Sequence, residues 1–448
     1  MKFRTSLTPR TWRGLLYAGI FTAFFLCSLL TLDPDFGWHL MSGRYFIAHG
    51  IPATDIFTYT ARAFPWIDHE WLADIAVAGL YGIGAYWLVA LCYAGLWTTG
   101  LAIVGRQAHW TLIVSAAAAM LPFAGARTVA LSVCGLALLV LLVRQGNQRW
   151  RLLIPPLLLV WANLHGSFPI GIVYLIYTAW RERSYQLVKL TSIAAVCTLL
   201  NPYGIGIYTE ILRTMLDTSL KRTIDEWSAF AFPLASIPYS ILWFSFLVYS
   251  CKTHWRRYLR FDVLLFVLAI GSMRMVPLFV IVSLPELSRR IREVGAPLPA
   301  MAHRLARRGG ILLVVASLVL AAGSFALGAL SPWSAYPWHL AAYMRDHPCR
   351  GNVFNSYDIG GFLIWQVPDQ RVYIDGRMPS WEYAGGKYMT DYLRLYEDVQ
   401  YRRQAFSELK IDCAVDYRAS TLVRSLRKDD EWNVVARDGL FVLLTRSR

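Results

Sequence analysis

Acidic residues are scarce in this chain: 29 Asp and Glu stand against 44 Lys and Arg, and charged residues fill only 16% of 448 positions. With 56% hydrophobic residues and a mean hydropathy of +0.40, that composition excludes an ordinary soluble enzyme of this length. Cysteine is also sparse. The seven show no CxxC pair and no metal-ligand spacing, which excludes a cysteine-based metal centre. Cys27, Cys92, Cys134, Cys197 and Cys251 fall in or beside apolar runs and read as small packing residues. Cys349 and Cys413 lie in a polar C-terminal region and can form a disulfide if that region is extracytoplasmic. The first apolar segment ends in TLDPDF, without a small-x-small cleavage site, so it reads as a permanent first helix with the N-terminus inside. No internal repeat and no low-complexity tract is present.

What the chain does have is long apolar runs from Leu15 to about Ala329. A net charge of +15 raises the possibility of nucleic acid, but its distribution excludes that reading. The links at 1–13, 106–109, 144–151, 181–189, 252–260 and 288–310 hold 21 Lys and Arg against only Glu182 and Glu293. That is the positive-inside pattern of a polytopic membrane protein. The runs predict eleven spans, at about 15–32, 85–105, 110–125, 128–143, 152–162, 167–180, 187–200, 236–251, 261–273, 275–288 and 311–329. An interfacial helix is predicted at 71–82, a polar loop at 33–70, and an amphipathic stretch near 208–220. Eleven spans from an inside N-terminus place the C-terminus outside. After Leu330, short β-like runs at 352–354, 371–374, 412–415 and 440–445 alternate with helical patterns, which predicts a small α/β domain. The expected organisation is therefore an α-helical membrane domain, 1–329, that includes the loop 33–70, and an extracytoplasmic α/β domain, 330–448.

Ionisable groups near hydrocarbon are costly, so they mark sites. Here they gather on the outer side. Asp33 and Asp35, at the exit of the first helix, either solvate that helix end or supply a general base or cation ligand. Asp68 either caps the next helix or forms a second acidic cluster with His69 and Glu70. Two such clusters in one loop, with His39 and several aromatics between them, favour function. Arg127 and Arg274 each interrupt an apolar hairpin, as phosphate clamps or as snorkelling anchors. Arg44 and Arg222 lie in wetter loops and are weaker phosphate candidates. Asn163 and His165 lie between two spans, where His165 can donate to a phosphate or relay a proton. Asn201, before Pro202, reads as a turn residue. Asp225, Glu226 and Trp227 can hold a sugar, Trp227 by stacking, or form an interface belt. In the C-terminal region, Tyr357 and Asp358 precede a Gly-Gly pair, while Asp375, Gly376 and Arg377 follow the predicted strand 371–374. These can form a ligand edge or tight turns.

The order D-x-D-x-x-W-H-L-x-x-G-R, G-I-P-x-x-D-x-F-T-Y-T and P-W-x-x-H-E-W-L resembles a large group of bacterial membrane proteins similar to the GT-C glycosyltransferases. A-R-T-V, W-A-N-L-H-G-S-F, L-N-P-Y-G, D-E-W, N-S-Y-D-I-G-G-F-L-I-W and Y-I-D-G-R match as well, so the resemblance covers nearly the whole chain. It implies a GT-C-like fold in the bacterial inner membrane, with a multi-pass bilayer domain and a polyprenyl-phosphate sugar donor. A glycan, lipid or protein would accept the sugar, and no nucleic acid is involved. The family's base, an acidic residue of the first outer loop, carries over to Asp33 or Asp35, with His69 and Glu70 beside it. Trp38, His39, Arg44, Arg127, Asn163, His165, Glu226, Trp227, Arg274, Tyr357, Asp375 and Arg377 would bind substrate. A divalent cation, Mg or Mn, would sit on Asp35 and Glu70. The sequence has Gly37 where the pattern expects an aromatic, which is expected to loosen packing. Two other readings compete: a metal-free lipid-linked glycan ligase or polymerase, and a non-enzymatic subunit that binds lipid-linked glycan for export or assembly.

Overall fold

The computed structural model describes the chain apart from residues 1–8, 146–147, 221–223, 225–226, 228–232, 252–259, 296–299, 327–331 and 448. Helices dominate the first three quarters. In chain order they are α1 Pro9–Leu30, α2 Phe36–His49, α3 Trp71–Val104, α4 Trp110–Met120, α5 Val129–Arg144, α6 Gln148–Arg151, α7 Ile154–Leu164, α8 Phe168–Glu182 and α9 Tyr185–Cys197. There follow α10 Gly206–Leu216, α11 Ile237–Cys251, α12 Phe261–Gly271, α13 Val276–Gly295 and α14 Ala300–Ala326. The C-terminal part holds α15 Trp338–Asp346, α16 Gly360–Gln366, α17 Tyr388–Glu397, α18 Val399–Glu408 and α19 Thr421–Leu426. Its strands are β1 Asn352–Asn355, β2 Glu382–Tyr383, β3 Gly386–Lys387, β4 Ile411–Tyr417, β5 Trp432–Asp438 and β6 Phe441–Arg446.

Each of the eleven apolar segments is helical over most of its length. Among the described residues two helices are long and apolar enough to cross a membrane alone, Arg10–Leu30 and Trp71–Val104. Others, such as Val129–Arg144 and Phe261–Gly271, are apolar but shorter than a ~30 Å hydrocarbon core requires of a straight span. Helix α3 is two helices joined at a break, with Gly84 at φ −142°, ψ 27° and Ala85 at φ 51°, ψ −158°. The piece before the break is the helix predicted at 71–82.

The chain divides into two compact units, and not at residue 330. One comprises 1–31, 86–205 and 218–330; the other comprises 32–85, 206–217 and 331–448. The loop 33–70 therefore groups with the C-terminal residues. The reason is a shared core: Phe46, Tyr59, Phe64 and Trp66 are buried with Phe354, Trp381, Phe406, Leu422 and Val442. Phe64 stacks on Trp381 with centroids 4.2 Å apart.

In this second unit the sheet order is β1-β4-β6-β5, with β1 parallel to β4 and the other neighbours antiparallel. Cys349 and Cys413 are disulfide-bonded, with Cα atoms 6.1 Å apart, which joins the segment before β1 to β4. The strand expected at 371–374 is absent as a ladder. Val372 makes only an isolated bridge with Thr58. The Asn355 side chain takes the place of a neighbouring strand, accepting from Tyr373 N at 2.8 Å and donating to Ile374 O at 2.8 Å. The polar loop 33–70 also needs correction, since 14 of its residues form α2. Gly37 and Gly43 argue against a helix by propensity, but Gly37 is required where it stands. A Cβ there would lie 2.0 Å from the Gly361 carbonyl oxygen, so the glycine tightens the packing of α2 on α16 instead of loosening it.

In the first unit the largest fully buried side chains include Trp97, Trp161, Trp243, Tyr239 and Phe279. The Tyr86 hydroxyl, just after the α3 break, donates to the carbonyls of Ser28 and Thr31 near the end of α1. Ser28 lies in the last turn of α1, whose carbonyls have no partner within the helix.

Candidate functional site

The sequence Asp33-Pro34-Asp35 leads into α2, and its geometry is local. Asp33 Oδ1 accepts from Asp35 N at 2.9 Å, and Asp35 Oδ1 accepts from the Trp38 indole at 2.9 Å. The Asp35 carboxylate is pressed against the Asp375-Gly376-Arg377 turn: a Cβ on Gly376 would be 1.8 Å from Asp35 Oδ1. Tyr357 reaches the same turn, its hydroxyl 3.5 Å from Gly376 O. Asp33, Asp35, Trp38, Tyr357 and this turn thus gather in one place.

One turn further along α2, His39 begins a buried polar chain. Its Nδ1 lies 2.6 Å from Asp74 Oδ1, and its Nε2 lies 3.5 Å from Glu70 Oε2. His69 Nε2 approaches the other Glu70 oxygen at 3.7 Å. Asp68 accepts from Glu70 N at 2.9 Å. Burial, with the Asp68 and Glu70 carboxylates nearby, holds the Asp74 pKa well above the usual carboxylate range. One oxygen of each of these two carboxyls, Asp68 Oδ2 and Asp74 Oδ2, is buried without a donor from the protein. Burial beside like charges favours the protonated form of Asp74. Asp74 belongs to this chain but was not singled out in the sequence. Glu70 and Asp74 at i, i+4, both facing His39, would have been the signal, had 36–49 been read as a helix.

Asp375 and Arg377 do not form a ligand edge. Arg377 is buried, with Nη1 2.8 Å from Asp55 Oδ1 and Nη2 2.6 Å from Asp375 Oδ2, and both carboxylate side chains are fully buried. Its guanidinium also faces Trp66 at 4.5 Å and Phe57 at 4.9 Å. Burial acts to lower the Arg377 pKa, but the Asp375 and Asp55 carboxylates reverse this and raise it. Asp55 further accepts from Thr58 N at 2.8 Å and Oγ1 at 2.6 Å. This is an internal clamp between the loop and the C-terminal residues.

In the first unit, Arg127 and Arg274 both lie in short turns between consecutive helices and are half-buried. The Arg274 guanidinium sits 5.2 Å from the Trp227 ring centroid, so one face of the indole expected to stack on a sugar already carries a cation. His165 Nδ1 accepts from Ser167 N at 3.1 Å and lies 2.8 Å from Ser132 Oγ, which also accepts from Trp161 at 2.7 Å. The neutral ring therefore carries its proton on Nε2. Asn163 donates to Leu159 O at 2.9 Å and to Leu200 O at 3.1 Å. Asn201 forms a turn, accepting from Tyr203 N at 2.8 Å. Arg44 is exposed on α2, its guanidinium 5.4 Å from the Tyr81 centroid. Arg222, Asp225 and Glu226 lie outside the described residues.

The cation expected on Asp35 and Glu70 does not fit the donors. Among the described residues no three of His, Cys, Asp and Glu are arranged to hold a metal ion. Asp35 is bonded to Trp38 and Glu70 faces two imidazoles.

No protein-family model matches the sequence, and no curated protein sequence matches it. The structure is similar to solved ones. ArnT from Cupriavidus metallidurans, bound to undecaprenyl phosphate, matches with a TM-score of 0.57 and 14% identity over 98% of each chain. The oligosaccharyltransferase AglB from Archaeoglobus fulgidus, in complex with an inhibitory peptide and a dolichol-phosphate, matches at 0.58 and 12%, over 91% of this chain and 70% of that one. The mycobacterial arabinofuranosyltransferase AftD matches at 0.54 and 13%, over 99% of this chain and 40% of that one. At such low identity these likenesses speak for architecture, and the chain has the GT-C-like fold.

Proposed function

We propose that the chain is an integral-membrane GT-C-type glycosyltransferase that moves a sugar from a polyprenyl-phosphate donor to an acceptor hydroxyl. The observation that carries this reading is the fold match over 98% of both this chain and an ArnT bound to undecaprenyl phosphate. The acidic pair at the start of the loop 33–70 supplies the chemistry. The acceptor oxygen bonds to the anomeric carbon as the bond from that carbon to the phosphate oxygen breaks. The hydroxyl proton passes to Asp33 or Asp35, and the electron pair leaves on the lipid phosphate. Arg127 and Arg274, in the first unit, are assigned to binding a phosphate, because a guanidinium fork matches its oxygens. One displacement inverts the anomeric centre.

The N-terminus is assigned to the cytoplasm and the C-terminal residues to the outer side of a bacterial inner membrane. Basic links and the Cys349–Cys413 disulfide support this orientation. The test is transfer by the purified chain from polyprenyl-phosphate sugars. Asp33→Asn or Asp35→Asn should cut the rate by ~10²–10⁴ with the melting temperature unchanged. Full turnover in both variants would remove both carboxylates from the role of base.

A further inference from the structure

An open cleft of about 450 Å³ runs along α2 within the second unit. Its size falls among small-molecule sites, which span about 300–1,000 Å³. One wall is a helical stripe: Met41, Arg44, Tyr45 and His49 follow i, i+3, i+4, i+8 and share a face of α2. The strap 368–371 that follows α16 forms a second part of the lining, and Ile56, Phe57 and Ile364 complete it.

The strap is fixed in place. Val372 N donates to Phe57 O at 3.1 Å, and Tyr59 N donates to Val372 O at 3.2 Å. Gln370 Nε2 donates to Cys349 O at 2.9 Å, and Cys349 is cross-linked to Cys413. The cleft thus has rigid walls before any ligand arrives, which lowers the ordering cost of binding.

Its charge is one-sided. Arg44 and Arg371 line it, against Asp369 alone. Neither guanidinium has a carboxylate partner among the described residues; Arg44 lies over Tyr81 instead. Beside them, the Tyr45 and His49 rings stack with centroids 4.6 Å apart and an interplanar angle of 27°. A guanidinium fork fits a carboxylate or phosphate, whereas flat rings and apolar side chains fit the C–H face of a sugar. A neutral sugar would leave the cations unused. A bare anion would leave the aromatic rim and most of the volume unused.

We propose that this cleft binds a saccharide bearing a carboxylate or a phosphate. Its role as the acceptor subsite rests on the transferase reading above, but its binding does not. The experiment titrates the purified full-length chain, in neutral detergent, with four probes by calorimetry: digalacturonic acid, glucose 6-phosphate, maltose and inorganic phosphate. At least one of the first two should bind, and maltose and inorganic phosphate should each be at least about tenfold weaker than it. The double variant Arg44→Gln with Arg371→Gln should weaken that probe at least about tenfold. Arg44→Lys with Arg371→Lys, which keeps the charge but loses the fork, should fall between. The proposal is overturned if maltose binds as tightly as the charged sugars, or if inorganic phosphate does. It is also overturned if no probe binds, or if the Gln variant binds like the parent. Should the Gln variant fail to fold, the four-probe comparison on the parent decides. Binding without any sugar transfer would retain this site and remove the transferase reading.

Discussion

The Cβ that Gly37 lacks would sit 2.0 Å from the carbonyl oxygen of Gly361. Two backbones therefore touch where α2 begins, and the Asp33–Trp38 segment is held by that contact. Gly37→Ala forces the helices apart, at a cost of about 1–3 kcal/mol or more for an overpacked contact with no flexible side chain to yield. Gly79→Ala is the control, because nothing lies within 4 Å of its Cβ position. The Gly79 variant should melt like the parent or slightly above it, and the Gly37 variant well below. Equal melting temperatures would show that the close approach is not required.

Asp55 and Asp33 are two carboxylates of one loop with opposite expected behaviour. Asp55 is fully buried and paired with Arg377. Removing one member of such a pair strands a buried charge and costs about 3–5 kcal/mol. Asp55→Asn should therefore lower melting temperature and activity together, whereas Asp33→Asn should lower activity alone. Thermal melts and rates on the same preparations check this, and an Asp55→Asn protein that is stable yet inactive would move Asp55 into the chemistry.

The helices were legible in the sequence because long apolar runs admit one reading. The break after 71–82 was legible too, through Gly82 and Gly84. Helix α2 was not legible, because Gly37 looks like a loop residue until its neighbour Gly361, distant in the chain, is known. The segment 371–374 has strand composition, but the Asn355 side chain satisfies its backbone in place of a strand. No local pattern reports such a substitution. At the candidate site the residue types were legible and their partners were not. Asp375 and Arg377 look like a ligand edge in sequence, and only the position of Asp55 shows them to be an internal clamp. Asp74 escaped because its partner His39 lies on the helix that was missed.

The Cys349–Cys413 bond closes a loop with a sequence separation of 64 residues. Chain-entropy reasoning gives such a cross-link about 4 kcal/mol. Reductant, or Cys349→Ser, should lower the melting temperature of the C-terminal residues by several degrees, while Cys92→Ser, a free cysteine, should not. Mass spectrometry of protein from cells should find the pair oxidised; finding both thiols reduced would argue against an oxidising compartment for this region.

Asp416, in β4, makes a pH prediction with a definite sign. Burial raises its pKa from 3.8 to about 6, although the Tyr417 backbone N–H donates to it and, with the Ser420 and Tyr396 hydroxyls nearby, pulls the other way. A carboxyl with a raised native pKa binds its proton more tightly in the folded state. Between about pH 4 and 6 the folded protein therefore holds more protons than the unfolded one, and stability falls as pH rises through that window. Above about pH 6 the charged group is carried at its full cost. Asp416→Asn removes the charge while keeping polar atoms for its neighbours. It should melt higher than the parent at pH 7.5, by an amount on the order of 1–3 kcal/mol, and the gap should shrink towards pH 4.5. A variant destabilised equally at both pH values would show that Asp416 acts through its hydrogen bonds and not through its charge.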